Sequence, residues 1–369
     1  MKYFCKAPFT QISIDPRGVL LPCCRYRTPL SHLSKERIDH GWNNENFRKL
    51  RRQFLNGEKP TGCSDCWAAE QSNNESLRSV VNEWAKDLHF DSDIVDQSPL
   101  YYEFKTTNVC NLKCRMCGSF NSSSIAKEQS SIQERTFYLK NKILGTDHEP
   151  IVFDCINKSE HILFAGGEPF VNQEVKKIIE YMYENNLTDK SLLMVTNGTH
   201  WNDEFVFQLQ HFPRLQIRIS LDDIFERNDY QREGSKFDLI EENFLKFSSK
   251  FYGRVTFNCT MNWYNIFYIN EFLEYCDDFN TPVSIQYVEH PKYLNITNLP
   301  ENVKQKVNDK FKNSCDPRIK LILDRMNLPG NNFINEFFKH VNYYDQLRNN
   351  DFARVFPEWS EILNEELRK

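Results

Sequence analysis

After residue 99 the chain alternates two hydrophobic patterns. LYYEFKTT (100–107), HILFAGG (161–167), SLLMVTNG (191–198), LQIRISLD (215–222), RVTFNCTM (254–261) and PVSIQYV (282–288) are short runs rich in apolar, β-branched and aromatic residues, and they read as strands. Between them NQEVKKIIEYMYENNL, NDEFVFQLQHF, FDLIEENFLKFSSKF and NIFYINEFLEYCDDF place apolar residues three and four apart, which predicts helices with one buried face. Strands and helices in alternation imply an α/β fold with parallel strands joined by right-handed crossovers. Such a sheet lies open or curls into a partial or full barrel, and ligands gather at the C-terminal ends of its strands.

Composition narrows the class. The chain has 369 residues, 40% hydrophobic and 26% charged, with a net charge of -5, so core size is no constraint and no overall attraction to nucleic acid is expected. The basic run RKLRR at 48–52 lacks interleaved aromatics and reads as the solvated face of a short helix. No apolar run approaches the ~18 residues of a membrane span, and MKYFCKAPF has neither the apolar region nor the cleavage site of a signal peptide. A cytoplasmic protein without membrane partners is expected, and its twelve cysteines are then metal ligands and free thiols rather than disulfides.

The cysteines fall into three groups. Cys5, Cys23, Cys24, Cys63 and Cys66 lie near the N-terminus; Cys110, Cys114 and Cys117 form a C-x3-C-x2-C array; Cys155, Cys259, Cys276 and Cys315 are scattered and read as small hydrophobes. The tight array follows the first of the six strands, GGEP (166–169) the second, TNG (196–198) the third and SLDD (220–223) the fourth. Each motif alone is ordinary turn chemistry. Together they occupy one rim.

C-x3-C-x2-C after the first strand with GGEP after the second resembles the radical S-adenosylmethionine enzymes, over about residues 99–290. The resemblance implies a partial (β/α)6 barrel in which the three cysteines hold a [4Fe-4S] cluster whose fourth iron binds S-adenosylmethionine. It further implies Met116 near the adenine, Gly166, Gly167, Glu168 and Pro169 at the methionine amino group, and Ser220 and Asp222 near the ribose. Arg232 would reach the carboxylate or ribose, with Thr196, Asn197 and Asn262 as further rim residues. A structural zinc with a distant fourth ligand is the competing reading of the array.

The N-terminal segment reads C-x12-G-x4-C and then C-x2-C, which resembles the auxiliary-cluster modules called twitch or SPASM. By the spacing from Gly18, the resemblance makes Cys5, Cys23, Cys63 and Cys66 the ligands of a second [4Fe-4S] cluster, with Cys24 spare or substitute. Four thiolates would serve zinc equally well, and a zinc-stabilised interaction protein is the non-enzymatic alternative. The expected organisation is an auxiliary module at 1–66, a helical connector at 67–99, the barrel at 100–298 and a helical tail at 299–369 broken at Pro329 and Pro357, with aromatics packed into the core. An electron donor such as flavodoxin or ferredoxin is implied. The modest charge and the lack of an evident peptide-recognition winged helix favour a small molecule or sugar over a peptide as substrate. Cys259, near the end of the fifth of these strands, either faces the barrel interior as a hydrogen-atom donor or packs in the core.

Overall fold

The structure, a computed structural model, describes residues 2–33, 41–133 and 149–368. All six expected runs form strands, and three shorter strands precede them: β1 (Gln11–Ile14), β2 (Val19–Leu21), β3 (Ser31–His32), β4 (Tyr101–Phe104), β5 (His161–Phe164), β6 (Ser191–Thr196), β7 (Leu215–Ser220), β8 (Val255–Met261) and β9 (Val283–Tyr287). They make one nine-stranded sheet in the order β3-β2-β1-β4-β5-β6-β7-β8-β9. From β4 onward every neighbouring pair is parallel.

Alternation along the strands separates the two faces of the sheet. Tyr102 and Phe104, Ile162 and Phe164, Leu192 and Met194, Ile217 and Ile219, and Phe257 and Met261 are fully buried. They lie beneath crossover helices whose inward stripe is equally apolar, such as Val175, Ile178, Ile179 and Met182 of Gln173–Glu184. The opposite face carries Glu103 and Lys105 on and just after β4, then Arg218, Asn258, Thr260, Ser284 and Gln286. A parallel strand covered on both faces would be apolar throughout. The polar face is therefore an interior kept for something other than packing.

The N-terminal segment is joined to the barrel through the sheet. β1 pairs in parallel with β4, Ile12 against Tyr102 and Ile14 against Phe104, so the barrel sheet continues across the anticipated boundary. The connector holds two short helices, Ser64–Gln71 and Leu77–Trp84, the second closed by a reciprocal cap in which the Ser76 and Ser79 hydroxyls each accept from the other's backbone N–H.

The tail is helical as expected, and Trp359, Phe337, Phe352 and Phe356 are buried in it. The helical pattern breaks at Pro357 as expected: the helix Phe352–Val355 ends before it and Pro357 opens the helix Pro357–Leu367, where its missing N–H costs nothing in a first turn. Among the described residues no helix is long and apolar enough to cross a membrane.

Candidate functional site

The loop after β4 is held from three directions. Val109 O accepts from Glu168 N at 2.7 Å, Lys113 N donates to Glu233 O at 2.8 Å, and Arg115 N donates to Gln231 O at 2.8 Å. The GGEP turn and the segment after the fourth barrel strand thus fix the three-cysteine loop through backbone alone. Gly166 and Gly167 both have positive φ, 78° and 60°. A Cβ on Gly167 would lie 2.5 Å from Val109 O and 3.0 Å from Thr107 O, so this close approach requires glycine. Gly167→Ala should lower both iron retention and any cofactor turnover by about tenfold, since strain of this kind costs a few kcal/mol; iron content and 5′-deoxyadenosine yield of the variant check it.

Glu168 is buried, and its carboxylate accepts from Phe170 N at 3.0 Å, Thr196 Oγ1 at 2.6 Å and Asn197 N at 2.6 Å. Burial pushes its pKa up against those three bonds. Asn197 in turn donates to Asn111 Oδ1 at 2.9 Å, and Asn111 donates to Thr199 Oγ1 at 2.9 Å. Glu168, Thr196 and Asn197 therefore join the second and third turns of the rim to the cysteine loop. Pro169 is buried behind them, while Met116 is half-buried against the core.

Arg232 is 7% exposed, and its Nε lies 2.7 Å from Asp222 Oδ2, within ion-pair range but out of line for a hydrogen bond. Asp222 also accepts from Thr260 N at 2.7 Å. Burial works against the charge on Arg232, but Asp222 and the nearby thiols outweigh it and raise its pKa. Burial likewise pushes up all three thiols of the array, Cys110 to about 12, and Arg232 opposes that rise in each. Three thiols within the field of one guanidinium form a donor set suited to an anionic cluster, since thiolates and the metal centre they would hold both gain from a fixed cation.

Asn262 directly follows β8; it is fully buried, like Thr196 and Asp222, donates to Gln231 Oε1 and Thr260 O, and accepts from Tyr264 N at 2.8 Å. Cys259 shares the parity of Phe257 and Met261, is 0% exposed, and lies 3.7 Å from Asp222 O and 3.6 Å from Asn265 Nδ2. The thiol is on the helix-covered side of β8, which corrects its placement in the barrel interior. Ser220 is buried on the opposite, polar face.

Cys5, Cys23, Cys63 and Cys66 line one small cavity together with Tyr26 and Arg78. Burial raises each thiol, Cys63 to about 12. Cys24 turns away. It is solvent-accessible yet enclosed, and burial and Glu103 push it up to about 12. Among the described residues no three Cys, His, Asp or Glu side chains meet as the ligands of a single ion would. Thiolates at separate corners of a cluster need not meet.

Spacing did not reveal Arg115, whose guanidinium is buried behind the cysteine loop. It donates to Tyr230 O at 3.0 Å, pairs with Asp345 at 2.7 Å and sits 3.8 Å from the Tyr230 ring centroid. Arg348 of the same helix, Ile334–Arg348, donates to Lys113 O at 3.0 Å and pairs with Glu128. The interior pair Lys105–Glu103, at 3.4 Å, was also passed over, although charge inside an otherwise apolar strand signals it.

The SPASM family, described as an iron–sulfur cluster-binding domain, matches residues 5–67. Fe-coproporphyrin III synthase of Methanosarcina barkeri (strain Fusaro / DSM 804) is 26% identical over 135 residues, 36% of this chain and 30% of that protein. Sporulation killing factor maturation protein SkfB of Bacillus subtilis (strain 168) is 24% identical over 190 residues, 51% of this chain and 42% of that protein. The matched domain spans both N-terminal cysteine pairs, and the chain is similar in sequence to these two relatives over a third to a half of its length. The chain spans less than half the length of the curated relatives it matches. Solved structures similar to it include anSMEcpe with bound AdoMet, at TM-score 0.41 and 18% identity over 68% of this chain and 62% of that one, and Streptococcus suis SuiB bound to S-adenosylmethionine, at TM-score 0.42 and 16% identity over 70% and 53%.

Proposed function

We propose that this protein is an enzyme that reductively cleaves S-adenosylmethionine and takes a hydrogen atom from an organic substrate, with a second cluster carrying electrons. The chemistry supplied by the cofactor pair is one-electron cleavage of a sulfonium carbon–sulfur bond, giving methionine and a 5′-deoxyadenosyl radical. The observation that carries the reading is the rim itself: the three-cysteine loop is bonded through its backbone to a glycine turn too tight for any Cβ and to the segment that holds Arg232.

In this reading Cys110, Cys114 and Cys117 hold the cluster, and Arg232 offsets its charge while staying oriented by Asp222. The Gly166–Gly167 turn brings backbone against the methionine end of the cofactor, Met116 and Ser220 border the adenosine, and Glu168, Thr196 and Asn197 keep the turns in register. Cys5, Cys23, Cys63 and Cys66 hold the second cluster in the small cavity they share. A flavodoxin- or ferredoxin-type donor supplies the electron.

The relatives divide over substrate, one named for an iron porphyrin and the other for maturation of a killing factor. Anaerobically purified and reconstituted protein, assayed for iron, sulfide and zinc and for 5′-deoxyadenosine after reduction, tests the reading. Iron and sulfide with 5′-deoxyadenosine are expected; zinc in both sites without cofactor cleavage would instead establish a structural, non-catalytic protein.

A further inference from the structure

A cavity of about 310 Å³ lies between the second cysteine set and the last strand of the sheet. Cys66 and Arg25 border it on one side, all five residues of β9 on another, and Arg325 on a third. Its volume falls at the lower end of the range for ligand sites.

β9 ends the sheet, and among the described residues no strand covers its outer edge. Pro282 O accepts from Phe257 N at 2.9 Å and Val288 N donates to Met261 O at 3.1 Å, so residues of even number turn their backbone groups toward β8. Val283, Ile285 and Tyr287 therefore direct theirs outward, into the cavity they line. An edge of this kind is satisfied by one more extended chain.

Three arginines and three carboxylates border the cavity; of the carboxylates, Asp65 pairs with Arg27 and Glu289 with Arg325, while Glu75 lies at its exposed margin. Arg318 is held at 2.6 Å by both Asp277 and Asp316, and Arg325 pairs with Glu289. Arg25 has no carboxylate partner among the described residues; its Nη2 meets the neutral Oε1 of Gln286 at 3.3 Å. Arg325, 2% exposed, also leaves Nε and Nη1 without hydrogen-bond partners. The cavity thus pairs an open backbone edge with guanidinium groups not fully engaged.

We infer that this cavity binds an extended polypeptide segment as an added strand on β9, with a carboxylate of that segment on Arg25. The inference deepens the radical reading and rests on it for what becomes of the bound segment. It replaces the small molecule or sugar favoured by composition. The carboxylate is either an acidic side chain or a chain terminus, since both offer the same fork to a guanidinium.

The test uses the reconstituted full chain and fluorescein-labelled octapeptides of alternating Thr and Val. One carries a central Glu and an amidated end, one a central Gln and a free carboxylate end, and one Gln with an amidated end. At least one acidic probe should bind about tenfold more tightly than the neutral probe. Arg25→Ala should abolish that preference, and N-methylation of alternate residues should remove binding. Ile285→Pro, at an edge position where proline is tolerated, should weaken every probe. Equal binding of acidic and neutral probes, a preference that survives Arg25→Ala with a shift only in the second cluster's potential, or binding of a porphyrin tetracarboxylate but of no peptide would each overturn the inference. Cofactor cleavage is measured on the same samples. Its absence in wild type would count against the radical reading, whereas cleavage without acidic preference would sink this inference alone.

Discussion

Cys114→Ala should reduce 5′-deoxyadenosine formation to below about one hundredth of wild type, a loss of more than about 2.7 kcal/mol in effective barrier. Cys114 lies between the two other thiols in sequence, feels both electrostatically, and faces Arg232. Removing it leaves two thiols, too few for a cluster that must also keep one iron free for the cofactor. The loop should persist, because Lys113 and Arg115 are held by backbone bonds to Glu233 and Gln231 that do not involve the side chain at 114. The variant should therefore fold, keep iron at the N-terminal set and fail at chemistry. Anaerobic reconstitution followed by chromatography of the reduced reaction gives the comparison, and undiminished cleavage would falsify the assignment.

The second large effect belongs to the other cysteine set. Replacing Cys63 and Cys66 together should remove about half the bound iron, roughly four of eight atoms if both clusters are of the four-iron type. Cofactor cleavage should survive, because the rim has its own ligands. Product formation that needs an electron removed from the substrate should fall to background. The two cysteines lie on either side of the junction between Thr61–Cys63 and Ser64–Gln71, and Arg78, bonded to Phe4 O at 2.8 Å and paired with Glu70, keeps the segment against Cys5. Partial unfolding is thus not the expected cause of the loss. Iron analysis beside circular dichroism separates the two: loss of all iron, or of the fold, would contradict the reading.

The six barrel strands and the rim motifs were legible because each rests on local pattern. Period-two and period-3.6 alternation needs only neighbours in sequence. β1 was not legible: four residues, QISI, carry too little pattern, and what makes them a strand is the edge of β4 about ninety positions away. Cys259 shows a subtler failure. Alternation says that neighbours face opposite sides, but not which side is which, and the helices that bury Phe257 and Met261 settle it. Arg115 sits inside the motif, yet nothing near it in sequence hints at Asp345.

That last pairing bears on how the protein is made. Arg115 and Asp345 are 230 positions apart, and Arg348 reaches Lys113 across 235. The cysteine loop is thus tied from behind by a helix synthesised long after the cysteines have left the ribosome. Contacts of such separation form late, and domains assemble as their segments emerge. The cavity of the N-terminal cysteines is lined by residues between Cys5 and Arg78, all of which emerge before the cysteine loop. If both cysteine sets hold clusters as proposed, their loading has an order written into chain connectivity: the lining of the N-terminal set is translated first, and the three-cysteine loop is braced only once Asp345 has been translated and docked.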